Sequence, residues 1–179
     1  MKKTSEKIPC VSVLVPIYNV EKYLRQCLTS LHKQTLKEIE FICINDGSKD
    51  GSLEIIKEFM GLDERFRLID KENSGYGDSM NLGLKRARGK YIGIVESDDW
   101  IDAKAFEDLY RMAEENEVEV VRANYFENKG GQDLKIRSIP IHETDRVIDP
   151  RHHSWVFLVA PAIWASIYRR DFLKKNQIE

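Results

Sequence analysis

The fold follows from one stretch of the 179-residue sequence, Val11-Ser12-Val13-Leu14-Val15-Pro16-Ile17-Tyr18-Asn19. Its near-continuous run of apolar, mostly β-branched residues is typical of a strand whose two faces are both covered. Downstream, apolar residues recur at the spacing of one helical face, at Leu24, Cys27, Leu28 and Leu31. A buried strand followed by an amphipathic helix is the first half of a βαβ unit, and such units build parallel sheets.

The same alternation continues down the chain. Further strands are predicted over Ile39–Ile44, Phe66–Ile69, Lys90–Val95 and Val118–Phe126. Helices are predicted over Asp78–Arg88 and Asp102–Asn116, and Arg170–Asn176 is predicted to be the start of another helix. A further helix is predicted after Asp50, with an apolar face at Leu53, Ile56, Phe59 and Met60. The segment Ile136–Pro150 is polar and irregular. The predicted class is α/β, with a mostly parallel, Rossmann-like central sheet and helices on both faces.

The composition excludes several classes of protein. Apolar residues make up 42% of the sequence and charged residues 32%, which does not suit a disordered tail or a membrane-embedded body. Lys and Arg (28) nearly balance Asp and Glu (30), so charge gives no case for nucleic acid as a partner. The apolar runs are strand-sized and no signal peptide is recognisable, so we expect no transmembrane segment. Three cysteines without metal-type spacing, Cys10, Cys27 and Cys43, fit the reduced thiols of a cytoplasmic protein.

Polar clusters follow three of the predicted strands. They are Pro16-Ile17-Tyr18-Asn19, Asn45-Asp46-Gly47-Ser48 and Glu96-Ser97-Asp98-Asp99-Trp100. Ligands of open parallel sheets bind outside the carboxyl ends of the strands, although each cluster alone is better explained as a turn. The third cluster holds three acidic groups within four residues, which repel one another unless a cation or solvent relieves them. Such carboxylates suit Mg²⁺ or Mn²⁺; the alternative is that Asp98, Asp99 and Asp102 only begin the next helix.

These clusters and the segments between them resemble family 2 glycosyltransferases of the GT-A fold. The matching motifs are Val11–Asn19, Tyr23–Leu31, Ile44–Ser52, Asn73-Ser74-Gly75 with Asn81-Leu82-Gly83, Ala87–Ile92 and Glu96–Ile101. Several motifs in the family's order are far more specific than any one of them. The resemblance covers about residues 9–116 strongly and continues more weakly to Ile163–Arg170. It implies a single GT-A domain over 1–179, with a nucleotide-sugar-binding part at about 9–116 and an incomplete acceptor-side part at about 117–179.

The resemblance also implies roles for individual residues. Pro16 and Tyr18 would line a nucleotide pocket, and Asp46 would accept a hydrogen bond from the uracil imide, since a carboxylate only accepts. Glu96, Asp98 and Asp99 would hold the donor sugar and a divalent metal, Mg²⁺ or Mn²⁺, with Asp98 and Asp99 as the metal ligands. The further donor-binding candidates are Asn19, Asn73, Gly75, Asn81 and Ser97.

Three departures from the family pattern stand out. Met80 occupies a position where the family usually has Arg, and Glu96 one where Asp is usual. Inverting transfer also needs a carboxylate base that deprotonates the acceptor hydroxyl. The resemblance places that base after the segment around Arg170, so we expect it beyond Glu179; within the present sequence the acids to consider are Asp145, Asp149 and Asp171.

The predicted function is therefore inverting, metal-assisted transfer of a sugar from a UDP-sugar to a saccharide or lipid-linked saccharide, in bacterial-type surface polysaccharide synthesis. The expected location is the cytoplasm, or the inner face of the membrane as a peripheral part of a full-length protein. The alternative is a nucleotide-sugar-binding module without transferase activity. Dinucleotide oxidoreductases and P-loop NTPases are disfavoured, because the first strand is not followed by G-x-G-x-x-G and the sequence has no G-x-x-x-x-G-K-[ST].

Overall fold

Six strands form the central sheet of the protein. A computed structural model describes residues 8–129, 132–136, 145–158 and 162–178 of the chain. The strands are β1 (Val11–Ile17), β2 (Ile39–Asp46), β3 (Phe66–Lys71), β4 (Tyr91–Ile94), β5 (Val120–Arg122) and β8 (Ser166–Arg169). Their order is β3-β2-β1-β4-β8-β5. Strands β1 to β4 pair in parallel, and β8 is antiparallel to β4 and β5. The predicted α/β class with a mostly parallel sheet is confirmed.

Helices cover both faces of this sheet. They are α1 (Glu21–His32), α2 (Ser52–Leu62), α3 (Tyr76–Arg86), α4 (Ala105–Glu115) and α5 (Arg170–Lys175). Because side chains alternate along a strand, Val13 and Val15 of β1 pack in the core under α1, α2 and α4, whereas Leu14 packs in the core under α3 and α5. The predicted helical face of α1 is fully buried, but Met60 of α2 is 39% exposed, so that part of the predicted apolar face is wrong.

The carboxyl-terminal third departs most from the sequence prediction. The strand predicted over Val118–Phe126 is two strands, β5 and β6 (Tyr125–Lys129), and β6 pairs with β7 (Gln132–Ile136) in a separate hairpin. Strand β8 was not predicted, because its four residues show no alternation and its partners lie far away in the sequence. Gly130, Gly131 and most of the irregular segment after Ile136 lie outside the described residues.

The predicted thiols behave as expected. Cys27 and Cys43 are buried and free, and Cys10 is half-buried and free. Burial raises the pKa of both buried thiols, which keeps them protonated and unreactive. In the described ranges, no helix has both the length and the apolar character that a membrane crossing requires.

Candidate functional site

The loops that follow β1 and β2 are joined to each other through Asn19. Its backbone N–H donates to Ser48 Oγ at 3.1 Å, and its Oδ1 accepts from the backbone N–H of Lys49 at 2.8 Å. Asn19 takes a left-handed conformation, φ 52°, which asparagine tolerates better than most residues. Tyr18, beside it, is half-exposed, whereas Pro16 is buried inside β1. Two of the three predicted clusters are therefore one continuous surface, to which Tyr18 contributes a ring and Pro16 contributes little.

Asp46 ends β2 and is almost completely buried, with its side chain 7% exposed. Its Oδ1 accepts hydrogen bonds from Lys71 Nζ and from the backbone N–H of Ser74 at 2.9 Å, and its Oδ2 accepts from the N–H of Gly75 at 3.0 Å. Burial alone raises the pKa of this carboxyl, but these donors outweigh burial and the pKa is lowered. The carboxylate has about four acceptor positions, and three of them are used to anchor the loop after β3.

Two glycines with positive φ shape these loops. Gly47 has φ 71°, and a Cβ there would lie 2.8 Å from the backbone N of Asn73. Only glycine therefore lets the loop after β2 pack against the segment after β3. Gly75 has φ 94° and immediately precedes α3. The predicted ligand residues Asn73 and Gly75 are exposed here.

Helix α3 carries the next two positions of interest. Asn81 is half-buried. Met80 is 8% exposed and packs in the core beneath α3, together with Leu14 and Ile44. The position where the family usually has Arg is therefore a core position in this chain.

The acidic segment after β4 is graded in exposure. Ser97 is buried, Glu96 is half-buried, and Asp98 and Asp99 are exposed. Burial raises the pKa of Glu96, and the charges of Asp98 and Asp99 raise it further, against a hydrogen bond from Tyr76. Burial and Asp98 likewise raise the pKa of Asp99. The segment is a concentration of negative charge whose carboxylates favour a cation.

The helix-start interpretation applies to Asp102 alone. Asp102 Oδ1 accepts from the backbone N–H of Lys104 at 2.8 Å, one residue before α4 begins. Within the described ranges, Asp98 and Asp99 make no such hydrogen bond and no salt bridge with a lysine or arginine. Their carboxylates are available for a ligand.

The donor set fits one kind of metal site better than another. The described residues hold no preformed group of three or more His, Cys, Asp or Glu ligands. Mg²⁺ is often bound by one or two carboxylates together with the phosphates of a substrate. Asp98 and Asp99 therefore suit a cation that arrives with a diphosphate, rather than one held by protein ligands alone.

Strand β8 brings an aromatic residue to the same edge of the sheet. Because β8 runs antiparallel to β4, with Ile167 beside Gly93, the residues before β8 lie at the carboxyl end of β4. Trp164 is among them, 41% exposed, with its ring edge-on to Tyr125 at 6.4 Å between centroids. Trp164 lies near the acidic segment because β8 pairs with β4, and no pattern in the sequence predicts that pairing.

The acids considered as bases within the chain are placed differently. Asp171 opens α5 at the amino end of β4, since Arg170 N–H donates to Lys90 O at 2.9 Å; this is the edge opposite to the acidic segment. Asp149 is paired with Arg151 at 2.5 Å, which together with the backbone N–H of Arg151 lowers its pKa to about 2. Asp145 is exposed.

Comparison with known proteins agrees with this geometry. The sequence model of the family described as glycosyl transferase family 2 matches residues 12–175. The uncharacterized glycosyltransferase EpsJ of Bacillus subtilis (strain 168) is 35% identical over 177 residues, which are 96% of this chain and 51% of that protein. The chondroitin synthase of Pasteurella multocida (strain Pm70) is 38% identical over 101 residues, 56% of this chain and 10% of that protein.

A solved structure shares the fold. The crystal structure of S. aureus TarS 1–349 in complex with UDP-GlcNAc superposes with a TM-score of 0.77 at 28% identity, over 94% of this chain and 47% of that one. The chain thus spans about half the length of EpsJ and of this TarS structure. The strand order, the polar edge of the sheet and the match over residues 12–175 lead to one conclusion. The chain belongs to glycosyl transferase family 2.

Proposed function

We propose that this chain binds a UDP-sugar across the carboxyl ends of β1, β2 and β4 and serves its transfer, with inversion, to a hydroxyl acceptor. The observation that carries the proposal is that three polar clusters, far apart in sequence, end strands at one edge of the sheet, where ligands of such sheets bind. The complex of TarS with UDP-GlcNAc supports UDP as the nucleotide. A relative named as a chondroitin synthase supports a saccharide acceptor and a role in polysaccharide synthesis.

The nucleotide half of the proposed site centres on Asp46 and Tyr18. Asp46 would use its remaining acceptor position for the uracil imide N–H, and the half-exposed Tyr18 would pack beside the base. Cytosine presents an acceptor where uracil presents that N–H, so two acceptors would face each other at a cost of about 1–3 kcal/mol. UDP should therefore compete for the site about five- to 150-fold better than CDP. Equal competition by the two nucleotides contradicts this role of Asp46.

The metal half of the proposed site is Asp98 and Asp99, which would hold Mg²⁺ or Mn²⁺ against the diphosphate. When bound, such a metal neutralises the charge that develops on the leaving diphosphate. We expect calorimetry to show tighter UDP binding with Mn²⁺ than with EDTA, and Asp99→Ala to remove that difference. Asp102→Ala is the matched control, because Asp102 serves the turn before α4 and its loss should leave the metal dependence intact. Equal UDP affinity with and without Mn²⁺ contradicts the metal assignment.

The alternative, a nucleotide-sugar-binding module without transfer, has one observation in its support, the positions of two of the candidate bases. Asp171 lies at the opposite edge of the sheet and Asp149 is held by Arg151. A positioned base contributes about 10²–10⁴-fold to such a reaction. We therefore expect this chain to bind UDP-sugars but to release UDP slowly in the presence of saccharide acceptors. Rapid transfer to an acceptor would instead place the base within the chain, and Asp145→Asn would be the first variant to assay.

A further inference from the structure

A hydrogen bond connects the start of α3 to the acidic segment after β4. The Tyr76 hydroxyl donates to Glu96 Oε1 at 2.7 Å. The backbone just before Tyr76 is fixed from the other side, because the N–H groups of Ser74 and Gly75 donate to Asp46. Tyr76 is therefore held over the edge of the sheet with its ring half-exposed, 47%.

We infer that Tyr76 is a positioning residue, which orients Glu96 so that its second oxygen, Oε2, accepts a hydroxyl of the donor's sugar ring. This inference rests on the proposed function. Within the described part of the chain, the Tyr76 hydroxyl is the one hydrogen-bond donor to the Glu96 carboxylate. Oε2 is left as an open acceptor on a half-buried side chain at the edge where the donor would bind.

The need for such a residue comes from the length of the glutamate side chain. Glutamate has one more rotatable bond than aspartate and loses more rotamer freedom when it is fixed. Asp98 and Asp99 lie on the same segment and repel the Glu96 carboxylate. Without a hydrogen bond from Tyr76, the Glu96 side chain would therefore turn toward solvent. A hydrogen bond from a hydroxyl to a carboxylate is short and stronger than one between neutral groups. Tyr76 thereby presents Glu96 in one orientation before the ligand arrives.

The placement of the pair assigns it to the sugar rather than to the nucleoside. Glu96 follows β4, on the same segment as the carboxylates proposed to meet the diphosphate, Asp98 and Asp99. The proposed nucleoside contacts, Tyr18 and Asp46, follow β1 and β2 instead. Loss of the Tyr76 hydroxyl should therefore weaken a UDP-sugar and leave UDP nearly unchanged.

The experiment compares dissociation constants from calorimetry for UDP, UDP-GlcNAc, UDP-glucose and UDP-galactose, each with Mn²⁺ and with EDTA. For Tyr76→Phe we expect the tightest of the UDP-sugars to bind about five- to tenfold more weakly, while UDP changes less than twofold. Tyr23→Phe is the matched control, because Tyr23 has the same exposure of 47% and lies on α1; it should change neither constant.

A second variant tests the connection through Glu96. The shorter side chain of Glu96→Asp cannot keep both its backbone position and its contact with Tyr76, so adding Tyr76→Phe to it should cause no further loss. Non-additivity of this kind identifies two residues that act together. Thermal unfolding of each variant checks that the fold is retained. The ratio of the dissociation constant of the UDP-sugar to that of UDP distinguishes positioning from a general loosening of α3, which would not change this ratio.

The outcomes separate the inference from the function on which it rests. Equal weakening of UDP and UDP-sugar by Tyr76→Phe, no weakening of either, or additive losses with Glu96→Asp overturns the positioning role and leaves UDP-sugar binding standing. If neither UDP nor any of the UDP-sugars binds the unmodified chain, the proposed function fails and the inference fails with it.

Discussion

Replacing Asp46 by Asn should destabilise the protein by about 3 kcal/mol. The change keeps the shape of the side chain, but its NH₂ group cannot accept, so at least one of the three donors to Asp46 loses its partner. One of those donors is the Lys71 ammonium, itself 13% exposed. Removing one member of a buried ion pair costs about 3–5 kcal/mol. We expect the lower end, because Lys71 keeps Asp78 at 3.4 Å.

Urea unfolding measures this cost directly, and thermal unfolding should show a midpoint lower by about 6–12 °C for a chain of this length. The matched control is Asp78→Asn, which removes the other carboxylate that pairs with the Lys71 ammonium. Asp78 is 60% exposed, so its loss should cost about 0–1 kcal/mol. If Asp46→Asn were as stable as the unmodified protein, or if the two variants were equally destabilised, Asp46 would not be the anchor of the loop after β3.

Two further predictions concern stability. Gly47→Ala should lower the free energy of unfolding by about 1–3 kcal/mol in urea, because φ is 71° and the new Cβ would meet the backbone N of Asn73 at 2.8 Å. The control is Gly61→Ala in α2, which has open space around its Cβ and should be neutral or stabilise the protein by up to about 1 kcal/mol. Equal effects of the two substitutions would contradict the loop packing. Burial raises the pKa of Asp63, but hydrogen bonds, led by those from Arg65, outweigh the effect of burial and lower that pKa from 3.8 to about 2. Asp63 therefore contributes stability above about pH 4 that is lost as the pH falls toward 2. Urea unfolding between pH 6 and pH 2.5 should show this loss, and Asp63→Asn should flatten the acid limb by about 2 kcal/mol.

The first part of the fold could be predicted because its signals are local. The β1 run and the helical face of α1 each lie within a dozen residues, and both are buried as predicted. The grouping of the polar strand ends at one edge of the sheet could be predicted because they follow apolar runs at the carboxyl ends of parallel strands. Proposed ligand contacts of Tyr18, Asp98 and Asp99 stay predictions, since they concern a ligand.

What could not be predicted depends on pairings between distant residues. Strand β8 is held in the sheet by its pairing with β4 and β5, and its own four residues show no alternation. The anchor role of Asp46 depends on Lys71 and on two N–H groups of a loop 28 and 29 residues away. The hydrogen bond between Tyr76 and Glu96 also joins separate elements, 20 residues apart in the sequence.

The position of β8 has a consequence for synthesis of the chain on the ribosome. Strands β1 to β4 emerge in sequence and can assemble as they appear, but β5 reaches the sheet only through β8, which is made about forty residues later. Until β8 emerges, β4 presents an open edge of unpaired backbone groups, the kind of edge that templates intermolecular pairing. Nascent or truncated chains that end before Ser166 should therefore be the aggregation-prone species, and a minimal expressible version of this fold must extend through β8.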